Sequence, residues 1–330
     1  MSDILYGAVP LDRAHTFRRD AEALADLRRS PDKLVVPTWR EMSLVNGAAQ
    51  LPELARQSVF LMADHAGSAA AVLAHGTPAA ELLDMAGDVV FLGLNANKAP
   101  VFAADLSKSD PEADGDGPAL GLGGAWVGLR AVGALLPAGD AALLGYARAM
   151  MIWHRRSRFC GSCGAPTEVR EGGHMRQCLD TSCGAQHYPR TDPAVIMRVT
   201  DGDNVLLHRQ RPWPAGQWSV LAGFVEPGET FEEAVAREVR EETGIEVAAV
   251  AYAGSQPWPF PGSVMLAFTA RAVGGTLAPD PHELEDARWF SRSEILTAFD
   301  DRHRAERTGL FLPTPGSISR RLIEQWLGRA

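Results

Sequence analysis

The sequence predicts an α+β protein assembled from several domains. At 330 residues the chain is too long for one small core. Short β-rich runs bounded by turn residues occur in both halves, among them "DKLVVPTWRE", "SVFLMADHAG" and "DVVFLGLNAN" early and "AVIMRVT" and "NVLLHRQ" late. Between the two sets, four cysteines crowd into residues 160–183, and a capped amphipathic helix follows in "ETFEEAVAREVREETGI".

Composition narrows the function classes. The chain is 46% hydrophobic and 22% charged, as ordinary globular proteins are. A net charge of −9 excludes a nucleic-acid coat as the main role and leaves room for a local basic strip. The opening "MSDILYGAVP" has no basic segment and no long apolar run, so a secretory signal is not expected. The apolar stretch 119–153 is broken by Arg130, Pro137, Asp140 and several glycines, so no membrane span is expected. Cytoplasm is the expected compartment.

The elements follow in order. Residues 1–125 form an expected N-terminal mixed α/β domain, with an acidic, Gly/Pro-rich loop in "SKSDPEADGDGPALG". Residues 126–158 are expected to be a connecting helical segment, because "DAALLGYARAMMIWH" reads as a helix leading into the cysteines. A compact cysteine unit occupies 159–188. The last unit, 189–330, opens with a hairpin whose turn signal is Asp201-Gly202. Strands are expected in "QWSVLAGFVE", around 246–254 and 264–272, and in "ARWF". Ser291 and Glu294 form a capping box for one more helix, and "ISRRLIEQWLG" closes the chain as another.

Cys160 and Cys163 form a CxxC pair, and Cys178 and Cys183 a CxxxxC pair. Two close pairs joined by a short loop suit tetrahedral zinc, each pair supplying a knuckle. Disulfides or a redox pair are the alternatives, and disulfides fit poorly without a secretory signal. One structural zinc per chain is expected, with His174 and His187 nearby but not needed. The flanking Arg155, Arg156, Arg158, Arg170 and Arg176 read as a solvated face set against Glu168 and Glu171, with a local basic strip that touches phosphates near the site as the alternative.

The decisive segment is "GFVEPGETFEEAVAREVREETGI", 223–245. Thr230 and Glu233 cap a helix that runs from Phe231 to Thr243, and Gly244 ends it. At about 100° per residue, Phe231, Ala234, Val235 and Val239 share a core-facing arc. Glu238 and Glu242 fall inside that arc, with Glu241 at its edge beside Arg237. Two carboxylates one turn apart on an apolar face repel each other and lose hydration. A hard divalent cation offsets that cost, and Mg²⁺ joins such carboxylates to substrate phosphates.

Gly223, Glu229, Arg237, Glu238, Val239, Glu241, Glu242, Gly244 and Ile245 match the Nudix signature G-x5-E-x7-R-E-U-x-E-E-x-G-U at every fixed position. By this resemblance the last unit is a Nudix α/β/α sandwich, preceded by a four-cysteine zinc ribbon and the N-terminal mixed α/β domain. The resemblance implies Mg²⁺- or Mn²⁺-dependent hydrolysis of a nucleoside diphosphate linked to another group. It makes Glu238, Glu241 and Glu242 catalytic, with Ala222 (through its carbonyl), Glu238, Glu242 and Glu283 as metal ligands and Glu229 as the partner of Arg237.

A second motif narrows the resemblance. "SQPWPFPGS", 255–263, packs three alternating prolines with two aromatic residues, so it cannot be helical. A proline-stiffened loop can present rings and an amide to a planar base at low entropic cost, or serve as a rigid turn that packs Trp258 and Phe260 into a core, and one face can do each. The stretch resembles the marker of the NADH pyrophosphatases, also called NAD-capped RNA hydrolases, which carry a zinc ribbon in the same place. That branch implies substrate contacts at Gln256, Pro257, Trp258, Pro259, Phe260, Pro261, Gly262 and Ser263. It also implies contacts at Arg130, Tyr188 and Phe224, and at Ser319, where the branch usually has Ala. The implied substrates are NADH, NAD⁺ and NAD-capped RNA, and the implied assembly is a homodimer. A broader pyrophosphatase acting on ADP-ribose or dinucleoside polyphosphates is the rival within the class. A non-catalytic zinc-ribbon protein binding nucleic acid is the rival outside it.

Overall fold

The computed structural model describes residues 4–47, 68–108, 117–300 and 309–329. The run "SVFLMADHAG" and most of the acidic loop lie outside the described residues. The N-terminal unit contains strands β1 (Leu34–Trp39), β2 (Met42–Asn46), β3 (Ala70–Ala71), β4 (Ala74–His75), β5 (Asp88–Leu94), β6 (Pro100–Asp105) and β7 (Ala125–Gly128). They form one sheet in the order β3-β2-β1-β6-β5, with β4 on β1 and β7 on β2. Its helices are α1 (Ala21–Arg29), α2 (Gly76–Met85), the single turn α3 (Leu129–Val132) and α4 (Ala138–Arg156).

The segment 126–158 is not a connector. β7 pairs with β2 inside the sheet, and α4 buries Leu144, Ala147, Met150 and Met151 against Val36, Val90, Leu92 and Val101. The N-terminal unit therefore continues to the end of α4. The cause is the helix itself: its apolar positions exceed what a solvated linker could leave exposed, and the nearest uncovered sheet face takes them. α2 covers the opposite face, packing Leu82 and Leu83 against Val35, Phe91 and Phe102.

The ribbon is a three-stranded antiparallel sheet of β8 (Thr167–Arg170), β9 (Met175–Cys178) and β10 (Gln186–His187). One expectation fails here. Arg176 does not lie on a solvated face but is buried, donating to Thr167 Oγ1, Asp88 Oδ1 and His154 Nδ1. Carboxylate, imidazole and hydroxyl acceptors together replace the water its guanidinium would otherwise need.

The last unit is the expected α/β/α sandwich. Its strands are β11 (Asp192–Asp201), β12 (Asn204–Arg209), β13 (Leu221–Phe224), β14 (Ile245–Trp258), β15 (Ser263–Gly275) and β16 (Asp286–Ser291). The order is β14-β15-β11-β12-β16, with β13 on β11. Helix α5 (Phe231–Thr243) covers one face, burying Ala234, Val235 and Val239 on Val195, Met197 and Phe268. Helices α6 (Arg292–Asp300) and α7 (Ile318–Leu327) cover the other, where Ile295, Ile318 and Leu322 meet Val205, Leu207 and Trp218. Phe231 departs from its expected core position and is 42% exposed, because it opens the helix and only reaches toward Phe268 at 6.4 Å.

β14 runs four residues further than the sequence suggests. Ser255 to Trp258 pair with Leu266 to Ser263, and only Pro259–Gly262 form the turn. β14 is an edge strand, which is where a sheet tolerates Pro257 and its missing N–H. Among the described residues no helix is long and apolar enough to cross a membrane.

Candidate active site

Helix α5 carries the acids because its cap and its apolar stripe fix their rotation. Thr230 Oγ1 accepts from Glu233 N, Glu233 Oε2 accepts from Thr230 N, and Gly244 ends the helix at φ 74°. Glu242 is consequently 3% exposed, and the Glu238 side chain 12%, while Glu241 is more than half exposed. Apart from Phe231, the buried arc is the expected one.

β13 sets the other wall. A Cβ added at Gly223 would lie 1.9 Å from Glu238 Cδ and within 2.2 Å of both its carboxylate oxygens. The Glu238 carboxyl is therefore pressed onto bare backbone, one residue beyond the half-buried Ala222. Arg237 braces the assembly. Its guanidinium donates to Glu229 Oε1 and Oε2 at 2.5 and 2.9 Å, to Glu238 Oε1 at 2.9 Å, to Glu241 Oε2 at 3.1 Å and to the Phe224 carbonyl at 2.8 Å. This holds the Glu229 carboxyl down to about 2. Glu283 arrives on a loop pinned to the end of the helix, where Asp280 N donates to Glu242 O and Ala278 N to Thr243 O, both at 2.9 Å.

Burial and like charge set the acids against one another. Burial first, then Glu238 and Glu283, push the Glu242 carboxyl up to about 8. Burial also raises Glu238, despite Arg237. Glu242 Oε2 is buried without a hydrogen-bond partner. An orphaned carboxylate oxygen facing two further acids fits a hard divalent cation. Among the described residues only the four cysteines bring their ligand atoms within 4.8 Å of one another. The wider spacing of the acids suits Mg²⁺, which keeps several of its waters.

The cysteines fit zinc. Cys160 and Cys183 sulfurs stand 3.8 Å apart and those of Cys163 and Cys178 3.5 Å apart, with none in a disulfide. Tetrahedral zinc with bonds of about 2.3 Å places its sulfurs about 3.8 Å apart. Ser162 N donates to Cys160 Sγ, which holds that thiol down to about 5, and His187 Nε2 lies 3.3 Å from the same sulfur. His174 turns away and pairs with the Phe91 carbonyl.

The implied substrate residues divide into three groups. Phe224 and Tyr188 are exposed, and Tyr188 Oη donates to Gln186. Gln256 is fully buried, with Nε2 donating to the Leu5 and Gly316 carbonyls and Oε1 accepting from Ile318 N. Ser319 is buried beside Ser219, hydroxyl to hydroxyl at 2.8 Å. Trp258 and Phe260 turn toward the N-terminal core, edge-on to Tyr6, with Arg130 over both rings. Pro257 is exposed, Pro259 and Ser263 are buried, and Pro261 and Gly262 are half-buried. Sequence reasoning missed Tyr6 and Arg148 as partners of this loop, and no local pattern marks them. It also missed why Gly223 is glycine, although the motif fixes that position.

Three domain families match the chain in turn. They are an NADH pyrophosphatase-like rudimentary NUDIX domain at 33–153, an NADH pyrophosphatase zinc ribbon domain at 155–188 and a NUDIX domain at 190–308. An NAD-capped RNA hydrolase NudC from Stutzerimonas stutzeri is 44% identical over 230 residues, covering 70% of this chain and 74% of its own. Another, from Deinococcus radiodurans, is 43% identical over 248 residues, covering 74% and 79%. The chain belongs to the NADH pyrophosphatase branch of the Nudix family. The human NAD-capped RNA hydrolase NUDT12 is 42% identical over 196 residues, which span 57% of this chain and only 42% of that relative.

The Nudix glycine gives a direct test of the site. Gly223→Ala should displace the Glu238 carboxyl, since the methyl and the carboxyl cannot share the space. Turnover should fall about a hundredfold with little change in melting temperature, because a small misplacement of a catalytic group costs about that much. Wild-type turnover in Gly223→Ala would show that Glu238 need not sit there.

Proposed function

We propose that this chain hydrolyses the pyrophosphate bond of NADH and NAD⁺, giving nicotinamide mononucleotide and AMP. The same cleavage on NAD-capped RNA leaves a 5′-monophosphate end. The observation that carries the reading is Glu242, buried and unpartnered between Glu238 and Glu283 on a complete Nudix helix. A protein that only held nucleic acid through its ribbon would gain nothing from that costly arrangement. The names of the relatives and the three-part order of domains support the NAD-type substrate.

Glu238, Glu242, Glu283 and the Ala222 carbonyl would hold Mg²⁺ or Mn²⁺, which neutralises the pyrophosphate oxygens and lowers the pKa of a bound water. The chain's own part is to hold those groups still. Arg237 fixes Glu238 and leaves Glu241 exposed at the cleft edge, where it can accept a proton from attacking water. A cation held there would replace the proton that burial keeps on Glu242. Zinc on Cys160, Cys163, Cys178 and Cys183 has a structural role, since four thiolates close its shell. The proposal includes a cytoplasmic homodimer.

One observation favours a broader pyrophosphatase as second reading. Both ends of the Gln256 amide are bonded within the chain, so this residue has no free group to read a base. A single panel separates the readings: NADH, NAD⁺, ADP-ribose and NAD-capped RNA, each with zinc-loaded protein and added Mg²⁺ or Mn²⁺. The proposal expects NADH and capped RNA to lead ADP-ribose, with no turnover on the ribbon zinc alone. Equal rates on ADP-ribose favour the broader reading. Full turnover without an added divalent ion overturns the assignment of the acids.

A further inference from the structure

The N-terminal domain has the fold of a rudimentary Nudix unit, and its role follows from what it touches. Helix α4 meets the Pro259–Gly262 turn of the catalytic domain at two positions one helical turn apart. At Gly145 a Cβ would stand 3.4 Å from Pro259 Cγ and 3.2 Å from the Tyr6 ring, so the missing side chain lets both pack close to the helix. A glycine in a helix interior costs about 1 kcal/mol against alanine, so its presence here needs a packing reason. Three residues on, Arg148 Nε donates to the Pro259 carbonyl at 3.0 Å, and its guanidinium lies 5.4 Å from the Phe260 ring centre.

Arg148 is itself held from behind. Its other nitrogens donate to the Glu41 carbonyl at 2.8 Å and to Glu41 Oε2 at 2.6 Å, in the turn between β1 and β2. Only 12% of its side chain is exposed. An arginine held by two bonds on one side and presenting Nε on the other is a rigid support. Tyr6 and Arg130 complete the enclosure around Trp258 and Phe260, yet both rings remain only half-buried. A planar base would stack on what these two residues leave exposed.

We infer that Gly145 and Arg148 form a seat that positions the Pro259–Gly262 turn and, with it, the rings of Trp258 and Phe260, which makes Arg148 a positioning residue for base selection. Its effect on selectivity rests on the proposed action on NAD(H). The seat itself does not.

The test uses the full-length chain, with Arg148→Ala read in two ways. Hydrogen exchange should quicken in peptides covering 255–263 and stay unchanged in those covering α5. The ratio of kcat/KM for NADH over ADP-ribose should fall about tenfold, through KM for NADH, because a base loses a well-placed stacking partner. Turnover of ADP-ribose should stay within about twofold, since the acids are untouched. Where Arg148→Ala folds poorly, Glu41→Gln removes the support behind Arg148 and should give the same pattern more weakly. Unchanged exchange at 255–263, or a uniform rise throughout the chain, overturns the seat. A wild type with no preference for NADH overturns the proposed substrate instead, and the exchange data then judge the seat alone.

Discussion

Glu242→Gln is expected to lower kcat on the order of a thousandfold while making the metal-free protein more stable. The loss reflects one carboxylate withdrawn from the charge that gathers a cation at the phosphates, about 4 kcal/mol of transition-state stabilisation. The gain has the opposite origin. Glu242 is buried, one of its oxygens has no partner, and Glu238 and Glu283 repel its charge. Its carboxyl is raised from 4.5 to about 8 in the folded chain, so the folded state keeps a proton that the unfolded chain has released. Between those two pH values the metal-free protein must lose stability as pH rises, by at most about 5 kcal/mol in total. Melts in chelator at pH 5, 6.5 and 8 should show wild type falling and Glu242→Gln nearly flat. Added Mg²⁺ should restore the wild type at pH 8 and leave the variant unmoved. A variant that melts in parallel with wild type across that range, or that keeps its turnover, would remove Glu242 from the site.

Much of this site was legible because its signals are local. The Thr230–Glu233 box, the Gly244 stop and the hydrophobic period place α5 without any tertiary knowledge, and they also place Glu238 and Glu242 on its buried arc. Asp201 and Asn204 close the predicted hairpin for the same reason. What failed depends on sheet order and on partners distant in sequence. Pro257 ends a strand by propensity but continues one here, because β14 is at the sheet edge. Arg176 looks like surface charge until Asp88 and His154, far away in sequence, are placed beside it. The same holds for α4, whose apolar positions show that it packs but not on what. The proline-rich loop shows this limit most clearly. Its stiffness was readable, and its rings were expected to serve a substrate. Tyr6, Arg130 and Arg148, which grip those rings, could be found only in three dimensions.

Cys178→Ser should empty the zinc site and destabilise the N-terminal domain as well as the ribbon. The ribbon sheet has almost no core of its own, with Met175 and two of the cysteines as its buried apolar residues. Structural zinc in so small a unit supplies its folding free energy directly. Arg176 stands two residues before Cys178 on β9 and reaches into the neighbouring domain. There its guanidinium donates to Asp88 on β5 and to His154 on α4, and His154 Nε2 in turn donates to the Gly173 carbonyl. His174 pairs with the Phe91 carbonyl on β5. If the ribbon unfolds, Asp88 and His154 lose their charge-assisted partner while still largely buried. Stranding one member of such a pair costs about 3–5 kcal/mol. Less than one zinc per chain by elemental analysis is therefore expected together with faster hydrogen exchange in α4 and β5, which lie outside the ribbon. Arg176→Met separates the two contributions: it should keep its zinc and still loosen α4. If Cys178→Ser retained its full zinc, the four-sulfur site would be wrong. If it lost zinc while α4 exchanged as in wild type, the ribbon would be an independent unit, and the buried arginine would not be what joins it to the N-terminal domain.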